Sequence, residues 1–178
     1  MGARPVQVRQ RLPNRVSLDR AVTQPPVRIL LVSPRPEDDS AGYIDHRISA
    51  LPLVTALENL GVLVNPTVLA PPTFPALQQE LDRAHKKGTP YHVVHFDGHG
   101  VFSKETGLGK LCFEDPQDLE KLEKRKSQLV DAQEIAGLFR EHQVPLVFLE
   151  ACQSAKSEED PTASVEAKLL DEGVAASC

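Results

Sequence analysis

Apolar and polar residues follow each other along the chain in blocks that predict strands and helices in turn. A nearly continuous apolar run at 27–33 predicts a strand covered on both faces. Apolar runs at 62–69, 91–96 and 144–150 predict further strands, and Pro66 is a candidate break in the first of these. Apolar residues three or four positions apart predict helices, at 49–60, 73–87, 130–141 and 164–172. Thr73 is a suitable N-cap, and Gly61 and Gly173 suit helix ends. Because strands and helices alternate, we expect right-handed crossovers and a mainly parallel sheet between helix layers.

The remaining stretches carry weaker patterns. Residues 101–108 predict a loop that contains glycine, and residues 110–114 alternate weakly, as an edge strand or one arm of a hairpin would. Residues 115–128 form a polar, charged insertion, and we expect its KLEKRK run to be a solvated face. The apolar run at 173–178 predicts the beginning of a further strand.

The length and composition indicate one globular domain with a short extension. The chain has 178 residues, of which 40% are hydrophobic, and this is enough for a sizeable core over 27–178. Residues 1–26 are rich in arginine and interrupted by prolines, which disfavours a regular helix. We expect a flexible N-terminal segment there.

Charge and cysteine content restrict the cellular compartment and the kinds of partner that the protein is expected to have. The net charge of -5 argues against direct contact with nucleic acid. No run reaches the roughly 18 apolar residues of a membrane span. The cysteines are Cys112, Cys152 and Cys178, a set that suits neither a disulfide framework nor a metal knuckle. We therefore expect a cytoplasmic protein that contacts neither nucleic acid nor membrane.

A histidine and a cysteine follow two of the predicted strands. In YHVVHFDGHG, His99 lies between Gly98 and Gly100, whose small size allows a sharp backbone turn. The strand at 144–150 leads into EACQSA and delivers Cys152. Because chemistry gathers at the carboxyl ends of strands in open α/β sheets, these residues outline a thiol–imidazole pair.

Such a pair can perform nucleophilic catalysis. A cysteine attacks as its thiolate, and an imidazole can take the thiol proton and later give one to a leaving amine. The tetrahedral oxyanion needs hydrogen-bond donors, which the backbone N–H groups of Gly98 or Gly100 and of Cys152 could supply. The alternative for Cys152 is an inert core position, since cysteine is among the most buried residue types.

Other chemistries find less support. For Asp97 a solvated loop acid is favoured over a role in orienting a neighbouring group, and His92 and His95 suit core or supporting positions within the strand. Metal binding by His95 and His99 would suit a helix rather than this segment. A phosphatase-like loop would need an arginine where Glu158 stands, and no P-loop or G-x-S-x-G motif occurs. We expect no metal and no cofactor.

The two motifs resemble those of a known peptidase family. HFDGHG resembles the H-x-x-G-H-G element of the caspase-like CHAT peptidases, relatives of caspases, separase and gingipain, and FLEACQSA resembles their second element. The resemblance covers 27–178 and implies a caspase-like three-layer α/β/α sandwich with a mainly parallel sheet. It also implies that His99 is the general base and Cys152 the nucleophile. Gly100 and the Cys152 amide would form the oxyanion site.

This sequence departs from the family pattern in two places. Glu150 stands where the family often has asparagine, and a carboxylate close to the sulfur would oppose thiolate formation. The chain ends as a further strand begins, so we expect a domain truncated at its C-terminus, with an open sheet edge.

The resemblance implies a cysteine endopeptidase that hydrolyses peptide bonds through an acyl-thioester. The alternatives are an inactive interaction module with the same fold and an effector domain whose activity waits on a partner. The expected partners are a protein or peptide substrate, and a regulatory partner or second copy at the open sheet edge. A basic side chain at the substrate's P1 position would need a buried acid, for which Asp97, Glu114 and Asp115 are candidates.

Overall fold

A computed structural model describes residues 24–37, 46–103, 108–118, 124–151 and 165–177. Within these ranges the strands are β1 Val27–Val32, β2 Val64–Val68, β3 Val93–Gly98, β4 Gly100–Ser103, β5 Leu108–Glu114, β6 Ser127–Asp131, β7 Leu146–Ala151 and β8 Ala175–Ser177. The α-helices of the same ranges are α1 His46–Leu60, α2 Phe74–Lys86, α3 Ala132–Glu141 and α4 Val165–Asp171. Among these helices, none has the length and apolar character to cross a membrane.

The apolar runs pair side by side in one sheet. Strands β2, β1, β3, β7 and β8 form a five-stranded sheet in that order, and each neighbouring pair is parallel. Across the sheet, the chain moves in one direction from β1 to β2 and in the opposite direction from β2 to β3. Because both crossovers are right-handed, α1 and α2 lie on opposite faces of the sheet. The helices α3 and α4 precede β7 and β8 in the same direction as α2 and share its face. The predicted α/β fold with a mainly parallel sheet is confirmed.

The core lies between the sheet and the helices α2, α3 and α4. Strand residues alternate between faces, so every second side chain points into this layer. Side chains at most 2% exposed come from the strands and from each of the three helices: Leu30, Val32, Val94, Phe96, Val147, Leu149, Leu77, Leu81, Ile135, Phe139 and Leu169. The predicted N-cap is confirmed, because Thr73 Oγ1 accepts a hydrogen bond from the Ala76 N–H at 3.3 Å.

A second sheet stands beside the carboxyl end of the first. Strands β4, β5 and β6 form a three-stranded antiparallel sheet, and β5 is its middle strand. The prediction of a loop at 101–108 is wrong for 101–103, which belong to β4. The edge-strand alternative for 110–114 is also wrong, whereas the hairpin alternative is confirmed. The polar insertion predicted at 115–128 gives way to β6 from Ser127 onward.

The aromatic ring of Phe113 joins the two sheets. Phe113 is fully buried on β5, and its ring centroid lies 5.4 Å from that of Phe96 on β3. The centroid of Phe74, at the start of α2, also lies 5.4 Å away. Edge-to-face and tilted contacts at this spacing are favourable between aromatic rings. The second sheet is therefore fixed to the main core close to the end of β3.

Candidate active site

The strands β3 and β7 end side by side, at the residues that directly precede the two predicted catalytic positions. The two strands are parallel neighbours, and Gly98 lies opposite Ala151 in their register. His99 follows Gly98, and Cys152 follows Ala151 in the sequence. Paired strands lie about 4.8 Å apart. The register thus aligns the residues directly before His99 and Cys152, while Cys152 itself lies outside the described residues.

His99 is the single residue between β3 and β4. Its carbonyl oxygen accepts a hydrogen bond from the Cys112 N–H on β5 at 2.9 Å, and its side chain is half-buried. The backbone before His99 therefore belongs to the parallel sheet, and the backbone after it belongs to the antiparallel sheet. Two sheets hold the histidine from opposite sides.

Gly98 is required for space rather than for a turn. The strand continues through Gly98, whose backbone is not left-handed, so the sharp turn expected at this glycine is wrong. A Cβ atom added there would lie 2.9 Å from Phe96 Cε1, closer than real side chains approach. A larger residue would have to displace the Phe96 ring or the strand end that carries His99.

The backbone N–H of Gly100 is directed away from β5. The hydrogen bond from Cys112 to His99 makes these two residues a hydrogen-bonded pair of the antiparallel ladder. Hydrogen-bonded and non-hydrogen-bonded pairs alternate, so Gly100 and its partner Leu111 form a non-hydrogen-bonded pair. The Gly100 N–H therefore does not bind β5 and is directed to the other side of β4. Its oxyanion role stays a prediction.

Asp97 is buried, and the prediction of a solvated loop acid is wrong. The residue is 3% exposed, and its carboxylate forms an ion pair with Arg35 Nη2. Arg35 Nη1 also donates to the carbonyl oxygen of Asp97 at 2.6 Å and to that of Pro34 at 2.9 Å. Sequence reasoning missed Arg35. The available signal was its place between two prolines directly after β1, because that loop lies at the same sheet edge as His99.

Glu114 is a second buried acid held by arginine. It is 2% exposed, its Oε1 accepts from the Arg35 backbone N–H at 3.1 Å, and its Oε2 accepts from Arg125 Nη1 at 2.5 Å. Arg125 belongs to the charged run expected to be only a solvated face. The third candidate acid, Asp115, accepts from the Gln117 N–H at 2.9 Å. The candidate acids for a basic P1 side chain thus have structural partners in the protein itself.

Glu150 lies beside His95. Its Oε2 is 3.7 Å from His95 Nε2, and its side chain is 56% exposed. Burial of the His95 ring is the main cause that lowers its pKa, while the carboxylates of Glu150 and Asp97 act in the opposite direction. The glutamate that stands where the family often has asparagine thus contacts the first histidine of the motif.

The lowered pKa of His95 makes stability depend on pH. The folded protein binds a proton at His95 less readily than the unfolded chain, whose histidines have a pKa of about 6.5. His95 therefore favours folding above that pH, and the contribution is lost as the pH falls. We expect urea titrations from pH 7.5 to 5.5 to show a falling free energy of unfolding, with a shallower fall in His95→Asn. The matched control is His85→Asn, on the exposed surface of α2. An equal change of the free energy of unfolding with pH in the two variants would contradict this account.

His92 lies at the other end of β3 from His99. Its Nδ1 accepts a hydrogen bond from the Arg28 backbone N–H at 3.0 Å. Burial, followed by the charge of Arg28, lowers the pKa of His92. This histidine helps join the beginnings of β1 and β3 and does not contribute to the His99 edge.

The family comparison agrees with the fold. The family model for the CHAT domain matches residues 10–177. Among curated proteins, none is similar enough to match the chain. The matched range includes both motifs and every described strand and helix, and so we conclude that the chain belongs to the CHAT domain family, which is related to the caspase-like cysteine peptidases.

Proposed function

We propose that the protein is a cysteine endopeptidase of the CHAT group, acting on a protein or peptide substrate through His99 and Cys152. The observation that carries the proposal is the register of β3 and β7, in which Gly98 and Ala151 are paired at the same sheet edge. The residues that follow them are a histidine and a cysteine. Membership of a peptidase-related family gives this pairing a chemical meaning.

In the proposed mechanism, the His99 imidazole takes the proton of the Cys152 thiol. The thiolate attacks the carbonyl carbon of the scissile peptide bond, which gives a tetrahedral oxyanion. The intermediate collapses as the C–N bond breaks, and the imidazolium gives its proton to the departing amine. Water, deprotonated by His99, then hydrolyses the acyl-thioester and restores the thiol.

The oxyanion would be stabilised by the backbone N–H groups of Gly100 and Cys152. Preorganised amides at such a site stabilise developing charge without reorganising during the reaction. The direction of the Gly100 amide, away from β5, supports this assignment. Absence of a Cβ at Gly100 also allows a substrate carbonyl to come close.

The alternative is an interaction module, inactive or dependent on a partner, that keeps the fold. Glu150 is the observation that favours it, because a carboxylate close to a thiolate would disfavour the ionised sulfur. Its position beside His95 is compatible with either function. Reactivity of Cys152 in the isolated chain separates an activated dyad from an inert thiol.

We expect His99→Ala to lower the rate at which iodoacetamide alkylates Cys152 about 10-fold at pH 7, since an ordinary thiol is only a few per cent ionised there. The loss should grow at pH 6, because the ionised fraction of an ordinary thiol falls about 10-fold per pH unit. Mass spectrometry of the separate cysteine peptides measures the rates. Cys112, which is fully buried, reports unfolding in the same sample. Equal Cys152 rates in the wild type and His99→Ala would overturn the dyad.

A further inference from the structure

We propose that Arg35 is a positioning residue that fixes the end of β3 and thereby the orientation of His99; its catalytic meaning rests on the function proposed above. The guanidinium contacts Asp97 twice, at the carboxylate and, at 2.6 Å, at the carbonyl oxygen. Asp97 stands two residues before His99. Arg35 therefore holds both the side chain and the main chain of the strand immediately before the histidine.

The geometry of this contact is specific to arginine. A planar guanidinium presents its N–H groups in a fixed fork, whereas a lysine ammonium is a single point charge on a flexible stem. The Arg35 side chain is 23% exposed and that of Asp97 is 4% exposed, so water screens the pair only weakly. The same guanidinium also donates to the Pro34 carbonyl, which orients the arginine within its own loop.

Glu114 extends the contact to the second sheet. Its carboxylate accepts from the Arg35 N–H at 3.1 Å and from Arg125 Nη1 at 2.5 Å. The Glu37 N–H donates to the Arg125 carbonyl oxygen at 2.8 Å, which joins the loop after β1 to the segment before β6. Glu114 is also on the strand whose Cys112 amide binds the His99 carbonyl. Arg35 thus contacts the strand before His99 through its guanidinium, and through its backbone N–H it contacts a side chain of the strand that binds the His99 carbonyl.

Loss of the Arg35 contact should widen the range of positions that the imidazole occupies. Displacement of a reacting group by about 1 Å can cost roughly 100-fold in rate. We expect Arg35→Lys to lower Cys152 alkylation about 5-fold to 10-fold at pH 7, because the charge remains while the carbonyl contact is lost. The pH dependence of Cys152 alkylation in Arg35→Lys should lie between those of the wild type and His99→Ala.

A double variant tests positioning when the single change disturbs folding. Arg35→Met leaves Asp97 buried without its cation, whereas Arg35→Met with Asp97→Asn removes both charges and should fold. The matched control is Arg140→Met, which breaks the exposed Arg140–Glu172 ion pair at the opposite end of the sheet. Histidine-selective NMR of the full chain, with His99 assigned from His99→Ala, measures positioning without reference to Cys152.

The expected result is one sharp His99 ring signal in the wild type and Arg140→Met, and a broadened or divided signal in the double variant. Cys112 should stay unreactive in each case. A sharp, unshifted His99 signal in the folded double variant would overturn the positioning role, and so would reactivity of Cys112 in both Arg35→Met and the double variant. If the NMR result is as expected while His99→Ala leaves Cys152 alkylation unchanged, positioning of the ring stands and the proposed peptidase function fails.

Discussion

Replacement of Cys152 by serine is expected to lower hydrolysis of an unstructured protein substrate at least about 1,000-fold, because the catalytic nucleophile and its base act as one unit. A serine hydroxyl is a far weaker nucleophile near neutral pH and needs stronger activation than a thiol. The change exchanges sulfur for oxygen and should leave the fold intact. Mass spectrometry of the digest of a denatured, reduced substrate protein measures the loss and also identifies the cleaved bonds.

The matched control for this experiment is Cys178→Ser, the same substitution away from both motifs. This variant should cleave the substrate at the wild-type rate. Equal cleavage by the wild type and Cys152→Ser would show that Cys152 is not the nucleophile. If neither protein cleaves but Cys152 is alkylated in a His99-dependent way, the dyad exists and its activity depends on a partner.

Replacement of Phe113 by alanine is expected to lower the free energy of unfolding by about 3–5 kcal/mol, the usual cost of deleting a buried aromatic ring. Phe113 is fully buried, and its ring packs against both Phe74 and Phe96 at centroid distances of 5.4 Å. The cavity would open between the two sheets, where neither sheet can close it without moving the other. Urea unfolding followed by circular dichroism measures the change.

The control for Phe113 is Phe148→Ala on β7. Phe148 is 37% exposed and lies on the opposite face of the main sheet from the core. Its loss should cost less than half as much, because less apolar surface returns to water and no enclosed cavity forms. Similar losses in the two variants would contradict the role of Phe113 as the link between the sheets.

The central strands of the main sheet could be predicted from the sequence because they are largely buried, unlike β2, where Val68 is 65% exposed. Strands covered by other parts of the fold have nearly continuous apolar runs, as at β1 and β7, and the intervening helices have apolar residues at helical spacing. The positions of His99 and Cys152 after two such strands could be read directly. The strand order β2, β1, β3, β7, β8 was not predicted, because right-handed connections are compatible with several orders.

The antiparallel sheet could not be predicted in the same way. On β6, Leu129 is 44% exposed, and Asp131 pairs with Lys110 of β5 at 3.0 Å, so this strand alternates without a clear apolar face. Short strands that carry polar residues resemble loops in composition. The weak alternation at 110–114 indicated the hairpin arm that became β5, but no comparable pattern indicated β4 or β6.

The contact between Arg35 and Asp97 was also hidden from the sequence. The two residues are 62 positions apart, and no local pattern joins them. A carboxylate before a histidine in a glycine-rich motif is usually solvated, so burial of Asp97 becomes evident only once β1 and β3 are paired. The sequence shows both residues shortly after apolar runs but does not assign them to each other.

The distance between the His99 imidazole and the Cys152 sulfur in an experimental structure tests the central claim most directly. The dyad predicts that the nearer imidazole nitrogen lies within about 5 Å of Sγ, which allows for the looser geometry of a site without substrate. It also predicts that a peptide can reach the sulfur from solvent. A separation beyond about 8 Å, too far for one bridging water, or a sulfur enclosed in the core, would contradict the account.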